Sequence, residues 1–341
     1  MRGLLLAIIF VGLGYVGFTL IDPSLELTQE EAIQLDIRNN SSSEDISARV
    51  NTALETSDYD SALMYSEIAD YVGFKLSPEA SDAMHEASGI TATIIRNASD
   101  VLGGFVTGEA QSAAGLGGAV ASDLTVVGDV RDISYQAPKM LAGEPYNELI
   151  LGLSVVGVGV TGATVASGGG GLPGRFAVSL LKVAAKTGSL TADFSRTLTR
   201  MVGDAVNFPG LQQTLRSVRL SDSAATREAV TTYARSINTA ELAPIVARMN
   251  DVRNNAGAAE SVRLMRYVRN SDDLDDIAGM SASLGRKTRG VAEITGKTSL
   301  RSFRTTMRIV EFILENILAF LAWLGSAVTL FLSRTIFKAV R

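Results

Sequence analysis

The chain has 341 residues and a net charge of −5, with one histidine and no cysteine. This excludes disulfides, thiolate metal sites, cysteine nucleophiles and any site that needs two histidines. The charge is unevenly divided: residues 1–150 carry 7 Lys/Arg against 22 Asp/Glu, a net −15, and residues 151–341 carry 24 against 14, a net +10. The two halves are expected to meet different surroundings.

An uncharged run at 3–21 follows Met1-Arg2. At 1.5 Å per residue it reaches about 28 Å, close to the hydrocarbon thickness of a bilayer. No small-x-small cleavage site precedes Asp22, so residues 1–21 are expected to be an uncleaved N-terminal transmembrane anchor. Residues 22–100 are expected to form an acidic helical domain. Within it the polar stretch 39–43 reads as a linker. Ile46, Val50, Ala53 and Leu54, then Tyr65, Ala69 and Val72, fall at helical spacing on either side of a turn near residues 57–60. Ala53-Leu54-x-x-x-Asp58-Tyr59-x-x-Ala62 resembles the helix junction of a tetratricopeptide unit, which implies a single helical hairpin. Ser77-Pro78 starts a further helix. His85 lies on that helix and is expected to be a surface or packing residue.

Residues 101–148 form a glycine-rich apolar helical segment. Glu109 and Asp123 leave 13 residues between them, too few to span a bilayer. Asp123-Leu124-Thr125-Val126-Val127-Gly128-Asp129-Val130-Arg131-Asp132 resembles the element that precedes the toxin module of bacterial polymorphic toxins. In that family it is a helical linker without a catalytic role. The family's proline before the valine pair is missing here, and the element is one residue shorter. Asp123, Asp129 and Asp132 are expected to be solvated carboxylates at helix ends, because a stable hard-cation site needs about six oxygens.

Residues 149–171 carry no charge and are expected to be a central transmembrane helix. The pairs Gly159/Ala163 and Gly162/Ala166 form the small-xxx-small pattern of closely packed membrane helices. Gly157-Val158-Gly159-Val160-Thr161-Gly162 matches the dinucleotide fingerprint literally. No Asp or Glu lies between Leu149 and Ala192 to hold a ribose, so dinucleotide binding is not expected. Gly168 to Arg175 lacks the Lys-Ser/Thr of a phosphate loop.

Residues 172–308 are expected to form a basic helical domain. Its first helix interleaves Phe176, Val178, Leu180 and Leu181 with Lys182 and Lys186 and is expected at the lipid surface. Pro209-Gly210 marks a break. Short helices are expected at 211–220, 223–236, 239–250, 258–268, 272–284 and 288–296, with short connections that pair neighbours antiparallel. Arg263, Arg266 and Arg269 are expected to share a face for lipid headgroups or a protein partner. Only Tyr267 stands near as an aromatic, so nucleic-acid binding is not expected. Residues 309–333 are expected to be the C-terminal transmembrane helix, with Glu311 and Glu315 at the interface, and residues 334–341 a basic tail.

The expectation is a mainly α protein, built from transmembrane helices and helical-hairpin or solenoid-like domains. Flanking charges place the N-terminus inside, the acidic domain outside, the basic domain inside and the C-terminus outside. The organisation is similar to that of uncharacterised proteobacterial inner-membrane proteins. It implies a multi-pass protein of the bacterial inner membrane with a structural or protein-interaction role, whose partners are the lipid bilayer and another protein. No catalytic, cofactor-binding or metal-binding residue is singled out, and no enzyme activity is expected. The alternatives are a toxin-like membrane-inserting protein and a membrane transport component.

Overall fold

The computed structural model describes residues 29–89, 126–166 and 172–296. The expected terminal anchors at 1–21 and 309–333, with Glu311 and Glu315, lie outside the described residues, as do Asp123 and most of the 101–148 segment. Among the described residues the chain is helical and has no strand. There are fourteen α-helices: α1 (Gln29–Asn40), α2 (Ser43–Glu55), α3 (Tyr59–Val72), α4 (Pro78–Ala87), α5 (Val126–Ala142), α6 (Glu148–Ala166), α7 (Leu172–Lys186), α8 (Ala192–Val206), α9 (Phe208–Arg216), α10 (Ser223–Ala234), α11 (Ala243–Ala256), α12 (Ala258–Leu264), α13 (Ser271–Leu284) and α14 (Lys287–Thr295).

The N-terminal hairpin forms as its spacing predicts. Ser42 and Asp45 make a reciprocal capping box at the start of α2. Asp58 caps α3, and Gly73 closes it at φ +76°, in the left-handed region glycine adopts without strain. Pro78 sits in the first turn of α4 behind the Ser77 cap. The expected linker at 39–43 is shorter than its composition suggests, because α1 continues through Asn40. Further along, the break expected at Pro209-Gly210 falls at Asn207 (φ +48°), which ends α8. Pro209 then stands in the first turn of α9, where its missing N–H costs nothing.

The run expected to be a central transmembrane helix is packed among other helices. Among the described residues no helix is long and apolar enough to cross a membrane. The 149–171 run supplies α6, and α5, α7, α8 and α10 all pack against it. Leu151, Leu153, Val155, Val156 and Val158 are buried on every side of the helix. An apolar surface all round is what the axial helix of a bundle needs, since it has no solvent face. The small residues permit close approach, and the partners are helices of the same body. A methyl group on Gly152 would stand 1.9 Å from Val202 of α8, on Gly157 2.7 Å from the Asp129 carboxylate of α5, and on Gly159 3.1 Å from Ala234 of α10.

The helices around α6 are amphipathic. On α8, Phe194, Leu198, Val202 and Ala205 face inward, while Arg196 and Arg200 stay exposed and pair with Asp193 and Asp204. α7 carries the structure onward to α11 and α12, and α11 packs on α13. α14 then returns to the N-terminal hairpin, against α3 and α1. Gly290 of α14 is the point of closest approach, where an added methyl would lie 2.2 Å from Ile68 of α3. Helices from the acidic and basic segments therefore share a core.

Candidate functional site

The chemistry-bearing side chains gather in two buried charge clusters. The first joins α5 to α7. Asp129 and Asp132 stand three apart on α5, and Lys182 and Lys186 four apart on α7, so each pair lies on one helix face. Lys182 is wholly buried. Its Nζ lies 2.5 Å from Asp129 Oδ1 and 3.1 Å from Asp132 Oδ2. Lys186 Nζ reaches the same Asp132 oxygen at 2.8 Å. Arg175, in the first turns of α7, stands 4.0 Å from Asp129 Oδ2. Burial alone pushes the Asp132 carboxyl up, but the two lysines outweigh it and hold the carboxyl below its ordinary value. Burial also lowers the Arg175 pKa, opposed by Asp129.

These positions correct two expectations. Asp129 and Asp132 are buried ion-pair partners, not solvated helix-end carboxylates. Lys182 faces the core, not a lipid surface. The element that resembles a pre-toxin linker is helical from Val126 onward, and its two later aspartates hold α7 in place. Lys182 and Lys186 were readable in one respect: two bases at i, i+4 in an apolar helix complement two acids at i, i+3 in an earlier one.

The second cluster closes the seam between α3, α12 and α14. Arg289 Nε donates to Glu260 Oε2 at 2.6 Å, Nη1 to Glu293 Oε1 at 2.9 Å, and Nη2 to Ser61 Oγ at 2.8 Å. Ser61 Oγ in turn donates to Asp58 Oδ2 at 2.6 Å. Arg263 bridges Glu260 Oε1 at 3.2 Å and Asp58 Oδ1 at 3.4 Å. The Tyr65 hydroxyl donates to the other oxygen of Glu293. Burial and this bond to Glu293 push the Tyr65 pKa up to about 12. Tyr267 is raised as well, by burial first and by Glu293 second.

The expected arginine face at 263, 266 and 269 does not form. α12 ends at Leu264 and a 3-10 turn follows, which breaks the helical register. Arg263 is buried in the second cluster, Arg266 is exposed, and Arg269 pairs with Asp273 on α13. His85 is exposed on the last turn of α4. Glu260, Arg289 and Tyr65 carry no local motif; only the fold brings them together.

Chemically, both clusters pair acids with bases. A nucleophile or general base needs a path to its substrate, and Lys182 and Arg289 are covered by packed helices. Among the described residues, no group of three or more His, Asp or Glu is placed to hold a metal ion. Comparison with protein-family models, curated proteins and solved structures finds no match to this chain.

Proposed function

We propose that the chain is a bacterial inner-membrane protein with a structural or protein-interaction role. Its α1–α14 body is held at one face of the bilayer by the apolar runs 3–21 and 316–333. The supporting observation is the packing of α14 against α1. Seven residues separate the first run from α1, and α14 is the helix that leads toward the last. Lys287 of α14 lies 5.4 Å from the Tyr71 ring, and the Tyr71 hydroxyl donates to the Glu30 carbonyl of α1. The two ends of the body therefore leave from neighbouring helices, which suits a chain tethered at both ends.

Arg2 precedes the first run, and Asp22, Glu26, Glu30 and Glu31 follow it with no base before Arg38. That asymmetry favours an extracytoplasmic body, and a large domain translocates largely regardless of its own charge. Among the described residues, the charged side chains that could do chemistry are engaged in closed ion clusters, which favours an interaction role over catalysis.

Topology reporters fused after residue 60, near residue 240 and at the C-terminus test the arrangement. The first two are expected outside and the last inside. Reporters at 60 and 240 on opposite faces would overturn it.

A further inference from the structure

The helices form two groups that meet along a seam where α12 and α13 face α14. α14 belongs with α1–α4: it packs on α1 and α3, Met64 and Ile68 close over Gly290, and Glu293 accepts from the Tyr65 hydroxyl. α5–α13 pack on one another around α6 and α11. Two charged contacts cross the seam from α12: Arg289 to Glu260 at 2.6 Å and Arg263 to Asp58 at 3.4 Å. They link four charges of alternating sign, Asp58, Arg263, Glu260 and Arg289. Each side also keeps partners of its own. Arg263 stands 3.2 Å from Glu260 on α12, and Arg289 stands 2.9 Å from Glu293 on α14. Asp58 accepts from the backbone N–H and the hydroxyl of Ser61. Separation along the seam therefore leaves none of these charges alone. The chain crosses from α13 to α14 at Gly285, with φ +57° and ψ −133°, a conformation that glycine adopts without strain.

A buried ion pair adds little net stability, because separation returns its charges to water. Units of one chain that meet through polar contacts move relative to one another unless their interface is large and apolar. Such motion is absorbed by a few residues at the ends of elements. We propose that α14 is a clasp: α1–α4 and α14 swing together on Gly285 away from α5–α13, and both groups stay folded. The Glu260–Arg289 contact holds the closed form. The inference does not depend on the membrane arrangement proposed above.

Distances between spin labels on the full chain in a neutral detergent test it. The chain has no cysteine, so pairs of introduced thiols are labelled alone. Glu79→Cys on α4 with Arg216→Cys on α9 spans the seam, and Glu79→Cys with Arg286→Cys on α14 stays on one side of it. All four sites' side chains belong to exposed residues. In urea below the unfolding midpoint, the first pair is expected to gain a second, longer distance while circular dichroism and the second pair stay unchanged. Arg289→Gln is expected to raise the open fraction about tenfold, the worth of a charged hydrogen bond. Glu260→Gln removes the same bond from the other side and serves where Arg289→Gln does not fold. Lys182→Met, which weakens the α5–α7 cluster instead, is expected to leave the open fraction as it is. A single distance in the first pair until helicity is lost, lengthening of both pairs together, or equal opening in Lys182→Met each overturns the proposal.

Discussion

Arg289 and Ser61 lie 228 positions apart in sequence and 2.8 Å apart in space. That contact joins a residue of the basic segment to one of the acidic hairpin. Around it, Arg289 also holds the buried Glu260, which it shares with Arg263, and the part-buried Glu293, which it shares with the Tyr65 hydroxyl.

Arg289→Met is expected to destabilise the protein by about 3–5 kcal/mol, because it leaves the buried Glu260 with Arg263 alone and takes the base from Glu293. Denaturant unfolding followed by circular dichroism measures this. Adding Glu260→Gln and Glu293→Gln should recover much of the loss, since burying no charge costs less than burying unpaired ones. A loss under about 1 kcal/mol for the single variant would show the seam to be solvated.

Lys182→Met tests the α5–α7 cluster in the same way and adds a pH signature. The Asp132 carboxyl is held below its ordinary value in the folded protein, so its stabilising contribution is present above the unfolded pKa of about 3.9. It is lost as pH falls through the lower folded value. Without Lys182, burial dominates and the Asp132 pKa rises. The variant should therefore lose stability relative to the native chain most strongly near neutral pH, with the gap narrowing toward pH 3. A gap independent of pH would mean that the lysine acts through packing alone.

Gly152→Ala and Gly290→Ala are each expected to cost about 1–3 kcal/mol, since each methyl meets a packed side chain on a facing helix, Val202 and Ile68 respectively. A paired Val202→Ala with Gly152→Ala should be less than additive, because the smaller residue at 202 makes room for the new methyl at 152. Strict additivity would separate α6 from α8.

Tyr65 and Tyr71 provide a spectroscopic check at high pH. Burial is the first cause of both shifts, joined by Glu293 for Tyr65 and Glu30 for Tyr71, and each pKa is raised to about 12. Absorbance titration should show both phenols ionising near pH 12. Their linked stability is complete below the unfolded value of about 10 and is lost as pH climbs toward 12. In Tyr65→Phe one late-titrating phenol should disappear and Glu293 should lose a donor. Ionisation of every tyrosine near pH 10 in the folded chain would contradict a closed seam.

Helix content, the α2–α3 hairpin and the start of α4 at Ser77-Pro78 were legible because each depends on residues within one or two turns: apolar spacing, a side-chain acceptor before the first turn, a glycine after the last. α1 was less legible, since acidic and amide residues cover its exposed face and few apolar positions mark its period. The arginines at 263, 266 and 269 misled because a continuous helix was assumed where a 3-10 turn intervenes.

The sequence by itself determined that the chain is helical, that it lacks cysteine chemistry, and that one central helix is apolar on every face with glycines where neighbours come close. What lay beside that helix was decided only by the tertiary structure. Apolar surface is equally satisfied by lipid chains or by the inner faces of other helices, so hydropathy alone does not distinguish them. Val202 against Gly152 and Asp129 against Gly157 make that choice for α6. Charge pairing was undecided for a similar reason. A carboxylate's partner depends on which helices meet, and Arg289 finds Ser61 and Glu260 only after α14 has returned to α3.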